Sequence, residues 1–256
     1  MKKIFKPFED LKGSNKTIIL TGWFIILVSL WTLSSFGETH LFPTPSQVLA
    51  GFKTLWNEGL VVHIVSSIWL CTRAVFYSII ISLIFAYSFT IPFFKPIGLF
   101  ISKLRFLPLT GISFYIAIVI SDARAIQIWV LIVFMTTFLT TSIIQMINDI
   151  SEDEFYHART LGCNRWECLW EVVIKGRFDY VFELVRQNLA IVWMMIVTVE
   201  SILAAAGGLG FLIKNGDRVG DNGRVIALQI IIIVVGLTLD FVITKIRKLV
   251  FRYSNY

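Results

Sequence analysis

Residues 126–147 carry no charged side chain at all. A run of that length is what a helix needs to cross the hydrocarbon core of a bilayer, about 20 residues. Inside a bilayer every backbone polar group must be satisfied by the segment itself, so such a run is restricted to helix or closed barrel. Similar runs recur along the chain. Residues 17–36 form a first, and 63–94 contain a second. Residues 107–121 offer a third, short one, opened by Leu107-Pro108-Leu109. Residues 126–147 are the fourth, 181–206 the fifth and 225–243 the sixth. The expected fold is an all-α polytopic membrane protein of about six transmembrane helices.

Composition agrees. The 256 residues are 56% hydrophobic and only 16% charged, against about 25% charged for a soluble domain, and the mean hydropathy is positive. The first apolar run is too long for the core of a cleaved signal peptide and is expected to stay as a span. The net charge of +6 does not point to nucleic acid, because the basic residues gather at segment ends. Seventeen of the 23 Lys and Arg residues fall in the amino terminus, the 95–105 link, the stretch from 151 to Arg186 and the tail. The other six, Lys53, Arg73, Arg124, Lys214, Arg218 and Arg224, fall in the alternate loops. By the positive-inside rule both termini are expected in the cytoplasm.

Little in the sequence points to covalent chemistry. There is no phosphate-binding Gly-x-x-x-x-Gly-Lys-Ser/Thr, and Gly207-Gly208-Leu209-Gly210 lacks the spacing and the preceding strand of a dinucleotide site. His40, His63 and His157 show no metal-ligand spacing. Cys71, Cys163 and Cys168 are too few and too scattered for a zinc set or a disulfide framework, and read as free thiols. Arg73, near a span end, can snorkel to the interface. After the first span, Pro43 and Pro45 force an extended turn, and Ser46 can cap an amphipathic helix running through Leu55 and Trp56.

The longest polar interruption is residues 151–177, SEDEFYHARTLGCNRWECLWEVVIKGR. Ser151 and Glu154 have the spacing of a capping box. Gly162 can end a helix in the left-handed conformation. Asn164 can cap a second helix, with Glu167 three residues on. There Trp166, Leu169, Trp170 and Val173 recur as one apolar stripe. The expectation is two helices broken at Gly162, with the stripe covered by the spans or by a partner. An ordinary structured loop would show the same signals.

The same residues carry a resemblance. Tyr156-His157-Ala158-Arg159-Thr160-Leu161-Gly162, then Arg165-Trp166, then Val172-Val173-Ile174, resemble the cytoplasmic coupling loop of ATP-binding-cassette (ABC) importer permeases, in the form of the nitrate/sulfonate/taurine branch. Tyr156 stands where that family has Glu, His157 where it has Ala and Lys175 where it has Pro. The resemblance implies that Glu154, Tyr156, His157, Ala158, Arg159, Leu161, Gly162, Arg165 and Trp166 form a coupling element that docks on an ATPase subunit. A Leu-Pro-x-Pro-x-x-Val element precedes the core in the family, as Leu41–Val48 does here, and Arg105 and Pro108 fit two positions of its proline-rich run.

One ionisable residue stands out within a span: Glu200, in Val-Glu-Ser-Ile-Leu. A carboxylate there is expensive and should face a bundle interior or a water-filled path, unless it lies near the span end and hydrogen-bonds a neighbouring helix. The run from Glu200 through Gly-Leu-Gly-Phe-Leu-Ile resembles the family's fifth span beside the translocation path, which implies a path role for Glu200 and Ser201. Ala204, Ala205, Ala206, Gly207 and Gly208 are small enough to let helices approach closely.

The resemblance implies a permease subunit in a bacterial cytoplasmic membrane. Residues 1–40 would hold the amino terminus and first span, 41–246 the permease core and 247–256 a basic tail. It implies a small solute, an anion such as nitrate, sulfonate or taurine, moved by alternating access. Implied partners are two ABC ATPase subunits holding ATP and Mg, a second permease copy as a homodimer, and an extracytoplasmic solute-binding protein. This chain itself would hold no cofactor and no metal, and would not be an enzyme. Two other classes stay open: a non-transporting membrane scaffold or assembly subunit, kept alive by Tyr156 and Lys175, and an intramembrane enzyme, disfavoured by the scarcity of buried ionisable groups.

Overall fold

The structure, a computed structural model, describes residues 13–34 and 42–251. The lysines at positions 2, 3, 6 and 12, Leu41 and tail residues 252–256 lie outside the described residues. The described residues form helices and no strands: α1 (Gly13–Ser34), α2 (Pro45–Asn57), α3 (Leu60–Ser88), α4 (Lys95–Lys103), α5 (Leu109–Val119), α6 (Ala123–Asn148), α7 (Glu152–Thr160), α8 (Arg165–Cys168), α9 (Phe178–Ile202), α10 (Leu209–Val219) and α11 (Asn222–Val250). Helices α1, α3, α6, α9 and α11 are long and apolar enough to cross a bilayer. The chain is an all-α polytopic membrane protein.

Helix α6 is the axis of the bundle. Its Val130, Leu131, Met135, Leu139 and Ile143 are all 2% exposed or less. Helix α3 meets it along a row of small side chains, Ser67, Cys71, Ala74, Ser78, Ser82 and Ala86, all buried. Small residues about every four positions let two backbones approach in a medium where apolar burial gives no drive. The approach is close enough for Ser78 Oγ to donate to the Ile132 carbonyl and Ser82 Oγ to that of Thr136, each at 3.3 Å. The offset is constant, so α3 and α6 run parallel. Helix α9 runs antiparallel to α6, with Gln127 donating to the Leu203 carbonyl at one end and Asn188 to Ser142 at the other. Helix α11 runs antiparallel to α9: Trp193 Nε1 donates to the Ile232 carbonyl and Arg186 to Asp240.

Parallel α3 and α6 require the chain to return between them. The sequence suggested one short span after a polar link. The structure instead makes the link itself helical, as α4, and bends the pair of helices by 108°. Proline at position 108 cannot continue a helix that enters from α4, and it fixes the corner. Helix α5, about 16 Å long, then climbs against α6. It crosses alone only about half of a bilayer core, so a sixth crossing exists only if the bent pair counts as one span.

Two other expectations change. Thr44, not Ser46, caps α2, in a reciprocal box with Gln47. The fifth span ends at Ile202 rather than 206, and a 3₁₀ turn of Ala204–Ala206 follows. Residues 209–219, in the gap between the fifth and sixth apolar runs, form α10, which packs back against α9 and α11.

Candidate functional sites at the two ends of the bundle

One end gathers the starts of α3, α6, α10 and α11 with the finish of α9. Glu200 is wholly buried there. Ser67 Oγ lies 2.8 Å from both carboxylate oxygens, and the Gly210 N–H donates to Oε2 at 3.1 Å. Arg124 Nη1 stands 3.8 Å from Oε1. Arg124 itself donates to Gln127 Oε1 at 2.8 Å and to Ser66 Oγ. The Leu209 N–H donates to Ser67 Oγ at 3.0 Å and the Gly208 N–H to His63 Nδ1 at 3.2 Å. The Ser201 hydroxyl reaches the carbonyls of Val197 and Gly210, both at 2.9 Å. A buried carboxylate is stable only when hydrogen-bonded and compensated, and Glu200 has both kinds of partner.

Glycine makes this possible. Gly208 has φ +109°, and a Cβ on it would lie 2.1 Å from the Glu200 carboxyl carbon. A Cβ on Gly210 would lie 2.1 Å from the Val197 carbonyl oxygen. The start of α10 therefore sits directly on the Glu200 side chain. Within this chain the Glu200 carboxylate is bonded to α3 and to the start of α10 and is closed off from solvent. The partners were not legible as partners. In the sequence Arg124 counted only as a loop cation and His63 as a histidine without metal-ligand spacing. The only sequence signal was the general need of Glu200 for a donor.

Beside this clamp, α9, α10 and α11 border a groove of about 820 Å³. Its polar wall residues are Arg186, Gln187, Thr198, Gln229 and Asp240. The sequence reading counted Arg186 only as a flanking cation and passed over the other four; isolated amides and hydroxyls in a span carry little signal. At the groove's far end Glu183 accepts from Arg186 and Arg247, and Arg186 also bonds Asp240 at 2.8 Å.

The opposite end carries residues 151–177. Helix α7 stops as expected: Gly162 has φ +87°, its N–H donates to the Arg159 carbonyl at 2.9 Å and the Cys163 N–H to that of Ala158 at 3.2 Å. These two bonds are the Schellman closure of a helix. Asn164 caps α8 as expected, accepting from Trp166 and Glu167 N–H at 2.9 and 3.0 Å, while Glu167 accepts from the Asn164 N–H at 2.7 Å. The first capping box does not form. Ser151 holds the cap position without a side-chain bond, and Glu154 pairs instead with Arg177 across the stretch. A charge-assisted pair outcompetes a neutral hydroxyl cap.

The apolar stripe also changes. After four residues α8 widens into a π-helical turn, Leu169–Lys175. The wider turn shifts the register, so Cys168 and Val173 point inward and are buried, while Trp166 and Trp170 remain 67% and 53% exposed. Tyr156 and Leu161 are exposed too, at 57% and 84%. Ala158 is buried at the junction. His157, Arg159 and Arg165 are exposed. The expected coupling residues thus share one end of the bundle, with Ala158 facing in and the large apolar side chains facing out.

Among the described residues no group of His, Cys, Asp and Glu has metal-site geometry. The three cysteines are free.

Comparison with known proteins agrees with this architecture. Residues 59–252 match the family model described as binding-protein-dependent transport system inner membrane component. The chain is similar to the taurine transport system permease protein TauC of Escherichia coli K12, with 23% identity over 255 residues, 92% of this chain and 89% of that one. It is also similar to the nitrate import permease protein NrtB of Synechococcus elongatus, with 31% identity over 114 residues, 43% of this chain and 40% of that one. Among solved structures, an amino acid ABC transporter crystallised with histidines superposes with a TM-score of 0.63 at 15% identity, covering 83% of this chain and all of that one. That likeness concerns the fold. A family match over more than half the chain, on an all-helical bundle with a polar helix pair at one end, places this protein among the inner-membrane permease subunits of binding-protein-dependent ABC importers, whose ATPase is a separate subunit.

Proposed function

We propose that this permease subunit works as a homodimer with two ATPase subunits, and that it moves a small anion of the taurine or nitrate kind into the cell. The single observation that carries the coupling reading is the exposure of Trp166 and Trp170 on a rigidly capped helix pair. Large aromatic groups held in fixed backbone and left uncovered fit the anchors of an interface. Tyr156, Leu161 and Arg159 would flank them, with Glu154 fixing α7 through Arg177. Gly162, Arg165, Ala158 and His157 would set the angle between the two helices.

Orientation follows from charge. The end bearing residues 151–177 also carries the 95–105 segment, Arg186 and Arg247, and the positive-inside rule assigns it to the cytoplasm with both termini. The Glu200 end then faces outward, towards an extracytoplasmic solute-binding protein. The groove between α9 and α11 is the best-supported wall of the path, because its amides and hydroxyl can replace solute hydration. Glu200 and Ser201 would act from behind that wall, holding α10 against α9. The anion assignment rests on the relatives, since Arg186 is already engaged by Glu183 and Asp240.

The decisive experiment is reconstitution of the chain with its cognate ATPase and binding protein in liposomes. Taurine or nitrate should stimulate ATP hydrolysis and accumulate inside. Stimulation by neither, with an intact complex, removes the anion reading. A cysteine at Asn222 should label from outside in intact cells; labelling only after permeabilisation inverts the orientation.

A further inference from the structure

A second cavity, of about 690 Å³, lies between the end of the bundle and the helix pair α7–α8. Phe89, Ile91 and Pro92, at the corner between α3 and α4, form one wall. Trp166, Leu169 and Val173 form the opposite wall. Three cations open into it, Lys95, Arg159 and Arg165, and no carboxylate does. Three acids of the helix pair are occupied elsewhere: Glu154 by Arg177, Glu167 by the Asn164 cap and Glu171 by Lys175. Among the described residues none of the three cations forms an ion pair. Lys95 lies over the Phe89 ring at 5.6 Å and Arg159 over Tyr156 at 5.9 Å.

A second observation sets the depth of this cavity. Helix α4, which begins at Lys95, is bent 108° from α5 and is flanked by exposed Phe93, Phe100 and Phe106. Lys103 and Arg105 stand beside them, with Arg105 over the Phe106 ring at 5.1 Å. Aromatic side chains with interleaved cations on a short helix lying across a bundle are the pattern of an interfacial element at headgroup depth. A cavity opening at the start of such a helix would lie at that depth.

We propose that this cavity binds the headgroup of an anionic phospholipid. Its phosphate meets Lys95, Arg159 and Arg165, and its glycerol and first acyl carbons lie against Phe89 and Ile91. Basic pockets between helices at the membrane surface take headgroups of this kind. The lipid would then bridge the bundle and the helix pair, two parts that the chain joins directly only at α6–α7 and at Arg177.

The test is native mass spectrometry of the full chain released from nanodiscs containing equal phosphatidylglycerol and phosphatidylethanolamine. The wild type should retain phosphatidylglycerol over phosphatidylethanolamine by about tenfold or more. Lys95→Gln with Arg159→Gln and Arg165→Gln together should abolish that preference, and Arg165→Gln alone should reduce it. Lys53→Gln with Lys214→Gln, at the opposite end, should leave it intact. The single variant keeps the test decisive should the triple one misfold. Equal retention of the two lipids by the wild type, or unchanged preference in Arg165→Gln and the triple variant, overturns the proposal. So does displacement of the lipid by millimolar inorganic phosphate, which would mark a simple anion site. Crosslinking of Arg165 positions to an acidic segment of the ATPase in place of lipid would likewise overturn it.

Discussion

The two polar ends of the bundle solve opposite problems. At one end Glu200 is 0% exposed, and its carboxylate is met by Ser67, the Gly210 N–H and Arg124, all from the same chain. At the other end the backbone is equally well satisfied, by the Asn164–Glu167 box and the Gly162 closure, yet Trp166, Trp170, Tyr156 and Leu161 are left in the open. At the first end the Glu200 carboxylate is satisfied within the chain. The second has complete backbone and incomplete side-chain burial. Polar residues in a membrane protein therefore need sorting by what satisfies them: a group closed off internally supports the fold, while a rigid frame presenting unburied aromatics supports association.

The sharpest way to break the comparison is Gly208→Val. It places a branched side chain at φ +109° and on the Glu200 carboxyl group, and should cost about 3 kcal/mol or more. The expected result is loss of monodisperse protein in detergent. Recovery of normal yield and melting temperature would mean the Glu200 end is not closed as described. Glu200→Ala should follow, destabilising by about 2–3 kcal/mol because Ser67 and the Gly210 N–H lose their acceptor. Glu200→Gln keeps the volume and sharpens the distinction. Thermal unfolding should fall while solute-stimulated hydrolysis per folded complex stays near wild type; the reverse pattern would make Glu200 a path residue.

Changes at the other end should be smaller in stability and larger in assembly. Gly162→Val forces a β-branched residue to φ +87°, at a cost of about 1–2 kcal/mol, and the spans should still insert. Pull-down of the ATPase should weaken. Asn164→Ala should cost about 1 kcal/mol of local helix stability, read as faster amide exchange confined to α8 and its π turn. Trp166→Ala with Trp170→Ala should leave the melting temperature within the range of a surface change, about 0.5 kcal/mol, yet abolish ATPase recovery. Undiminished recovery in that double variant would show that the exposed tryptophans are not the anchors.

Much of this was legible in the chain because it depends on short-range physics. Bilayer thickness sets the length of an apolar run, so five long helices could be read from hydropathy alone. Gly162 and Asn164 announced a helix end and a helix start, because the left-handed turn and the cap are local events of a few residues. The bias of 17 basic residues against six likewise needs no tertiary structure. Where two local solutions competed, the sequence named the wrong one: Ser151 could cap with Glu154, but Arg177, 23 residues away, took Glu154.

Tertiary structure alone decided the rest. Helix α10 forms outside the apolar runs, because Gly208 and Gly210 let it settle on Glu200 and the Gly210 N–H finds a carboxylate 10 residues away. The third crossing bends because α3 and α6 pack in parallel and the return must fit beside them. The π turn after α8 moved Trp166 and Trp170 off the buried face that an unbroken 3.6-residue period would have given them. Helix period, cap and span length are properties of neighbours in sequence. Which side-chain hydroxyl reaches Glu200 depends on a residue 133 positions away, and only the packed bundle brings the two together.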